Sequence, residues 1–431
     1  MGVAFASLAG LLCLGSATPV SINATPAGSL TAIEANDNRV PAGQLRGDTL
    51  SIELEVRMGT WRPEADSGPA IEVAAFAEAG KTPQIPGPLI RVKEGTTIAA
   101  TIRNALTDST IAIFGLLTQS AGLQDSLPLR LGETRQVRFT ATAAGTYFYR
   151  AVLGKHSPDR HINNEREQVA GALIVDPPGG SPPDRVFVIN IWGSRVDSAE
   201  YRQIDYRNAM TLNGRSWPYT DRIEATTGDT LRWRVINLTG RTHPMHLHGF
   251  YYQVRSRGDG VTDTIYAVED RRRVVTEEMR PFTTMAMSFV PDRPGNWLFH
   301  CHVGFHVVPQ SRLEKSPPGG HDEMSQDPMV HMAGLALGIT VQPSPGWTAP
   351  KQGTPRHMHL FIQEGKRRYR APRALGFVLQ RDGKPPQPDS TEIPGSILVL
   401  TRGQPTDIVV INRLSEPSAI HWHGVELLSY S

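Results

Sequence analysis

The chain has 431 residues, 39% hydrophobic, 20% charged and 7% aromatic, enough for roughly two to four domains with full cores. Forty-four basic side chains against 42 acidic ones leave a net charge of +2, which gives no electrostatic footprint for nucleic acid or an anionic membrane. Two cysteines exclude a disulfide scaffold and a tetrathiolate zinc site, so the 14 histidines, more than half of them in three tight clusters, carry the chemistry.

Residues 3–14 (VAFASLAGLLCL) form an apolar run followed by Gly15-Ser16-Ala17, small residues suited to signal-peptidase cleavage. The run is too short to span a bilayer, and no Lys or Arg precedes it. Residues 1–17 are therefore expected to be signal-peptide-like, giving a periplasmic or secreted protein with no membrane span. A tail or a buried strand is the plainer reading of the same residues. Cys13 is not preceded by a small residue and makes a poor lipoprotein site. Cleavage after Ala17 leaves Cys301 as the one cysteine of the mature chain.

Beyond residue 40, alternating segments such as TLSIELEVRM (49–58) and QVRFTATAAGTYFYRAV (136–152) predict strands, and few stretches carry a helical stripe. One motif occurs three times: EGTTIAATIRNAL (94–106), TGDTLRWRVINL (227–238) and RGQPTDIVVINRL (402–414). A second occurs twice, AGTYFYRAV (144–152) and PGNWLFHCH (294–302). Repeats of this length fit duplicated β-sandwiches, not a solenoid. The expected fold is all-β: tandem Greek-key sandwiches over 40–178, 183–343 and 355–431, divided at the Pro/Gly-rich stretches 176–184 and 342–355. The last is expected to be truncated, since the sequence stops at Ser431, seven residues after the final histidine motif.

The histidine clusters are HPMHLHG (243–249), HCHVGFH (300–306) and HWHG (421–424). In a strand, residues i and i+2 face the same way. His246 with His248, His300 with His302, and His421 with His423 thus each present two imidazoles to one side, while Cys301 points to the other. A lone thiolate with two imidazoles, here Cys301 with His306 and His243, is the donor set of a type 1 copper centre. Nothing offers zinc a closed Cys₂His₂ set. The six paired histidines would hold further copper through nitrogen.

HPMHLHG, HCHVGFH and HWHG resemble the copper-ligand signatures of multicopper oxidases, the laccase-like cupredoxin enzymes, and the domain repeat resembles theirs over the chain after residue 40. The resemblance implies that His243, Cys301 and His306 hold type 1 copper. It gives His246 and His421 to type 2 copper, and His248, His300, His302 and His423 to the type 3 pair. Up to four coppers would be bound in a complete protein. Cys301, His300 and His302 would carry electrons between centres, with an imidazole edge of His306 or His243 as the docking point of the donor. The implied reaction is one-electron oxidation of a phenol, an aromatic amine or a metal ion, coupled to reduction of dioxygen to water.

Departures from that pattern are expected as well. The family's trinuclear cluster uses eight histidines, of which six are counted here. The first domain cannot lend the others: its equivalent positions hold Ala112, Phe114, Arg150 and Val152, so it reads as a sandwich without copper, and His156 and His161 fall in a polar loop. Laccases carry HWHG in the first domain and HCH in the last, whereas here HCH stands second and HWHG third. Either order can close the cluster, within one chain or between chains of a homo-oligomer. The usual axial position falls at Ser311, but residues 307–333 read as an insertion. Leu335 in GLALGITV (334–341) is the axial candidate and Met332 the next. His321, Met324, Met329, His331 and Met332 suit a cuprous site or, more plainly, a surface loop. His357-Met358-His359 reads as structural, and Glu426 is a candidate proton source. Two rival functions remain: a non-catalytic blue-copper electron carrier, and a nitrite reductase, whose cysteine is not normally followed by a ligand histidine.

Overall fold

The computed structural model describes residues 30–154, 168–195, 206–307, 313, 332–350, 353–366, 374–418 and 420–425. The signal-like segment 1–17 lies outside them. So do His156, His161, Ser311, His321, Met324, Met329, His331 and Glu426.

Among the described residues the strands form five sheets. The first sandwich pairs a sheet of seven strands, centred on Thr49–Trp61 and Thr97–Asn104, with a sheet of five, centred on Ala170–Asp176 and Gly145–Leu153. It takes in the strand Glu34–Ala35, before the expected start at 40. Alternation explains the packing: in Thr49–Trp61 the inward Leu50, Ile52, Leu54 and Val56 are buried against Ile90, Ile113, Tyr147 and Leu173 of the facing sheet. The segment 136–152, one alternating run in the sequence, is two strands. Thr134–Thr140 ends and Gly145–Leu153 begins in the opposite sheet, because Ala141 turns back to bond Thr96.

The second sandwich repeats the plan, with Arg185–Arg195, Leu231–Asn237 and Thr284–Phe289 in one sheet. The other sheet runs Arg222–Thr226, Ala336–Gln342, Gly295–Cys301, His243–Leu247, Thr276–Met279. The fifth sheet, in a third unit, orders Ala374–Leu379, Arg356–Gly365 and Thr406–Asn412. His357 and His359 lie on the middle strand, where His357 faces Asp407 at 3.4 Å. The thrice-repeated motif thus supplies the matching strand of all three units. Each copy is entered through a glycine at positive φ: Gly95, Gly228 and Gly403.

The strand Ala170–Asp176 is buried on both faces from Ala170 to Val175, which explains its unbroken apolar run. Leu173 and Val175 enter the first core. Ala172 and Ile174 pack with Leu89 and Phe148 against Val186, Val188, Ile236 and Leu238 of the second sandwich. At the rim of this seam Arg91 bonds Asp176 and Asp184, and Arg234 bonds Asp184 and the Thr146 hydroxyl.

Candidate metal centre

The strand His243–Leu247 sits between Gly295–Cys301 and Thr276–Met279, with Met245 opposite Cys301 and His246 opposite both His300 and Thr276. Its two faces have different fates. His243, Met245 and Leu247 turn into the second core and are fully buried, as are Cys301 and Phe299. His246 and His300 turn the other way, toward the third unit. One pair of strands therefore serves two sites, as strand periodicity requires.

On the inner side Cys301 Sγ stands 3.5 Å from His243 Nδ1 and 3.3 Å from His306 Nδ1. The ring centroids of the two histidines are 4.7 Å apart. His306 lies at the end of the short 3₁₀ turn Gly304–His306, which folds it back over the strand end. The Thr239 hydroxyl fixes the tautomer of His243. It donates to Asn237 Oδ1 at 2.8 Å, so it accepts at 2.9 Å from His243 Nε2–H and leaves the Nδ1 lone pair facing the sulfur. Burial pushes the Cys301 thiol up to about 12. Burial, then the Arg241 charge, takes His306 down to about 3; burial also holds His243 well below the usual range. This is a dry, neutral pocket that a proton enters reluctantly.

On the outer side six imidazoles meet. His246, His248, His300 and His421 offer ring nitrogens within 4.8 Å of one another, and so do His302, His421 and His423. His248 Nε2 and His300 Nε2 are 2.9 Å apart. His246 donates its Nδ1–H to the Val275 carbonyl at 2.8 Å, which leaves a buried Nε2 with no hydrogen-bond partner among the described residues. Burial, then the neighbouring His300 and His423, takes His246 down to about 3, and His300 falls to about 4 through burial. His421 and His423 are lowered too, by burial and then by His302. Thr276 Oγ1 touches His246 Nδ1 at 2.9 Å and His423 Nε2 at 3.1 Å, and the Tyr251 hydroxyl donates to Gly424 O at 3.2 Å.

Every predicted histidine pair is assembled, but not by strand geometry throughout. His421–His423 lies in no strand, and His248 and His302 fall just past strand ends. Gly249 (φ +74°) turns the chain after His248, and a Cβ there would meet the Trp297 ring at 2.3 Å. Leu335 is fully buried; its amide donates to His306 O, and its carbonyl accepts from Cys301 N. Met332 is half-buried. In the first sandwich Arg150 faces Phe114 across paired strands, its guanidinium 4.8 Å above that ring and 4.6 Å above Phe282, so a cation on two aromatics stands where the second sandwich has imidazoles. One expectation needs correction. Neither His243 (0% exposed) nor His306 (3%) presents an edge to solvent; Phe305, 56% exposed, packs edge-on with its ring centroid 4.4 Å from that of His306. Sequence reasoning missed Thr239, Val275, Thr276, Arg241 and Phe305. Of these, Phe305 alone lies inside a motif.

The donor sets fit copper: a thiol with two Nδ1 atoms converging on it, and six clustered imidazoles, one of them with a buried Nε2 that has no hydrogen-bond partner among the described residues. The fold and these two sites define an all-β protein of cupredoxin sandwiches whose clustered histidines and one cysteine could hold metal. Two sequence profiles, both described as multicopper oxidase, match residues 194–312 and residues 79–180 with 390–430, together more than half of the chain. The chain belongs to the multicopper oxidase family, whose cofactor is copper.

A probable nitrite reductase-hydroxylamine oxidoreductase fusion protein of Kuenenia stuttgartiensis is 27% identical over 286 residues, 61% of this chain and 31% of its own length. The iron transport multicopper oxidase fio1 of Schizosaccharomyces pombe is 34% identical over 98 residues, 21% of this chain and 15% of its own. The chain thus spans less than a third of the length of these curated relatives. A blue copper oxidase from Nitrosomonas europaea shares the fold at a TM-score of 0.50 and 20% identity, covering 68% of this chain and 86% of that one. Among the described residues no helix is long and apolar enough to cross a membrane.

Proposed function

We propose that the chain is a laccase-like copper oxidoreductase that takes single electrons from a small-molecule or metal-ion donor and delivers them to dioxygen, giving water. The observation that carries this reading is the end of one strand, where Cys301 faces His243 and His306 while its neighbours His300 and His302 face the imidazole cluster. In this reading His243, Cys301 and His306 would hold type 1 copper, with the buried Leu335 as the neighbouring residue in place of a further ligand. His246 and His421 hold type 2 copper, and His248, His300, His302 and His423 the type 3 pair. Bound copper supplies one-electron exchange at the first site and a multi-electron store at the second.

The chain's own residues do the rest. Burial of His243, Cys301 and His306 keeps water from the thiol. Thr239 and the Val275 carbonyl each fix an imidazole tautomer, so that the free nitrogen points inward. Leu335 brings no donor atom, which favours a high potential at the first site. The first sandwich serves as copper-free support, and the domain limits of this reading are 40–178, extended back to the strand at 34–35, with 183–343 and 355–431. His421 and His423 reach the cluster from the same chain, which supports closure without a second subunit. Export through residues 1–17 belongs to the same reading.

The name of the Kuenenia relative makes nitrite a competing electron acceptor. His302, grouped with His421 and His423 directly after Cys301, supports dioxygen instead. A chain that binds copper but reduces neither is the non-catalytic alternative. The deciding experiment is a copper count with electron paramagnetic resonance on the copper-loaded chain, followed by uptake of dioxygen and of nitrite with a phenolic donor. Type 1 and type 2 signals, excess silent copper and oxygen uptake are expected. A type 1 signal alone at about one copper per chain, without uptake, would favour the electron carrier. No type 1 signal would overturn the assignment of His243, Cys301 and His306.

A further inference from the structure

The outward face of the second sandwich carries a group of arginines that neither metal centre uses. Strand pairing sets one row of side chains across four strands of its larger sheet. Arg232 of Leu231–Asn237 stands opposite Ser288 of Thr284–Phe289, Ser288 opposite Gln253 of Tyr252–Gly258, and Gln253 opposite Arg273 of Arg273–Val274. Residues paired in this way share a face. Their neighbours Trp233, Met287 and Val254 fill the core, so this row faces outward. Arg255 follows Gln253 at a bulge, where the pairing with Thr284–Phe289 shifts between Val254 and Ser256. Its carbonyl accepts from Tyr266 N at 2.8 Å, and Arg271 Nε donates to Tyr266 O at 3.3 Å, which brings Arg271 to the same place.

Like charges gathered in one place without acids call for a counter-ion. Burial, then the charges of Arg271, Arg232 and Arg234, holds Arg255 below the usual arginine range, and among the described residues no carboxylate acts on it. Arg232, Arg255 and Arg271 are each half-buried. The Nε of Arg232 is buried with no hydrogen-bond partner among the described residues. Arg234 is satisfied elsewhere, bonded to Asp184 and the Thr146 hydroxyl, and Asp263 is taken by the Ser256 hydroxyl and the Thr146 amide. From the shared face and the unpartnered Arg232 Nε we infer that Arg232, Arg255 and Arg271, around Ser288 and Gln253, form a binding site for a small tetrahedral dianion of the sulfate or phosphate class. Guanidinium groups meet such an oxyanion with paired N–H donors, and the hydroxyl and carboxamide add neutral ones. The recess favours a small ion over a polymer: the arginines are half-buried, Ser288 is 7% exposed, and a polyanion needs cations along an open surface.

The test titrates sulfate, whose charge is fixed near neutral pH, into the copper-loaded full chain by calorimetry at constant ionic strength, with chloride as the monovalent control. Saturable binding of about one sulfate per chain is expected, weakened about 10-fold or more by Arg255→Gln and by Arg232→Gln. Arg255→Lys, which keeps the charge but loses the fork, should fall between. Arg138→Gln removes the same charge from an exposed position of the first sandwich and should leave binding unchanged. Equal binding after copper is removed separates this site from the metal.

Thermal unfolding adds a reversal of sign. Without sulfate, Arg255→Gln loses a repelled charge and should melt at or above the unaltered chain. With saturating sulfate the unaltered chain should gain about 2 °C or more over the variant. Sulfate also stabilises proteins by exclusion, so the difference between the two proteins carries the result. Sulfate binding that is absent, or that is indifferent to Arg232 and Arg255, would overturn the site. A sulfated polysaccharide that binds through the same arginines where free sulfate does not would overturn the small-ion reading and make this face a polymer surface.

Discussion

His300 donates its Nδ1–H to the carbonyl oxygen of the next residue, Cys301, across 2.8 Å. That bond turns His300 Nε2 toward the imidazole cluster while the Cys301 side chain enters the core, so a single peptide unit belongs to both sites. The two sites should still be separable. Cys301→Ser removes the thiolate but keeps the carbonyl that orients His300. The expected result is loss of the blue absorption and of about one copper per chain, with the nitrogen-bound copper retained. Copper counting and paramagnetic resonance decide it. Loss of copper from the cluster as well would show that the sites assemble as one unit.

The second prediction concerns protons. Metal ligands must be deprotonated to bind. At neutral pH the imidazoles of His306, His246 and His300, held at about 3, 3 and 4, already are, whereas the Cys301 thiol, pushed up to about 12, is not. Filling the inner site should therefore release about one proton, the same number at pH 6 and pH 8. Calorimetry in buffers of different ionisation enthalpy measures it, and Cys301→Ser should release none.

Stability of the metal-free chain should depend on the same imidazoles. Their folded pKa values lie below the unfolded value of about 6.5, so the unfolded state binds more protons in the window between. Stability is then complete above about pH 6.5 and falls as the pH drops toward 4, before carboxylates titrate in the unfolded chain. A fall in Tm of at least about 5 °C between pH 7.5 and pH 4.5 is expected. A flat profile over that range would mean that these rings are not held neutral in the fold.

The site was legible because its residue types stand at fixed spacings: HPMHLHG, HCHVGFH and HWHG contain the histidines and the cysteine that the fold gathers into two clusters. The strands were legible for a similar reason, since Leu50, Ile52, Leu54 and Val56 mark one buried face. What could not be read is whatever depends on tertiary neighbours. The Thr239 hydroxyl reaches His243 only because the loop after Asn237 doubles back, and Thr239 carries no pattern of its own. The sealing of His306 was invisible because exposure is set by packing, not spacing. Alternation also overran itself at 141–144, where the chain changes sheets without losing its period-two pattern.

Thr276 is the point at which two distant motifs are held together. Its hydroxyl oxygen lies within hydrogen-bond reach of His246 from the second sandwich and of His423 from the third unit. Replacing it by valine keeps the shape and removes the oxygen. Thr276→Val should weaken copper binding in the imidazole cluster about 10- to 100-fold, leaving the blue absorption unchanged, and Thr276→Ser should restore it. Competition with a chelator of known affinity provides the measurement. Equal affinity in all three proteins would reduce Thr276 to a bystander.

Gly249 closes the HPMHLHG turn at φ +74°, a left-handed conformation that a Cβ disfavours, and the added methyl would lie 2.3–2.4 Å from carbons of the Trp297 ring. That ring is buried and packs against Phe250, and Arg293 bonds the Gly249 carbonyl, so neither side can move away cheaply. Gly249→Ala should therefore cost about 2–4 kcal/mol, combining backbone strain with overpacking. Urea unfolding should show a lower midpoint at unchanged slope. The same change should disturb the imidazole cluster more than the thiol site. His248, adjacent to the strained residue, takes its position from the bond between its amide and Leu298 O, whereas His243 and Cys301 are anchored by strand pairing further inside. Retention of the blue absorption with partial loss of nitrogen-bound copper is the expected signature. Full copper retention at lowered stability would mean that the turn is needed for folding alone.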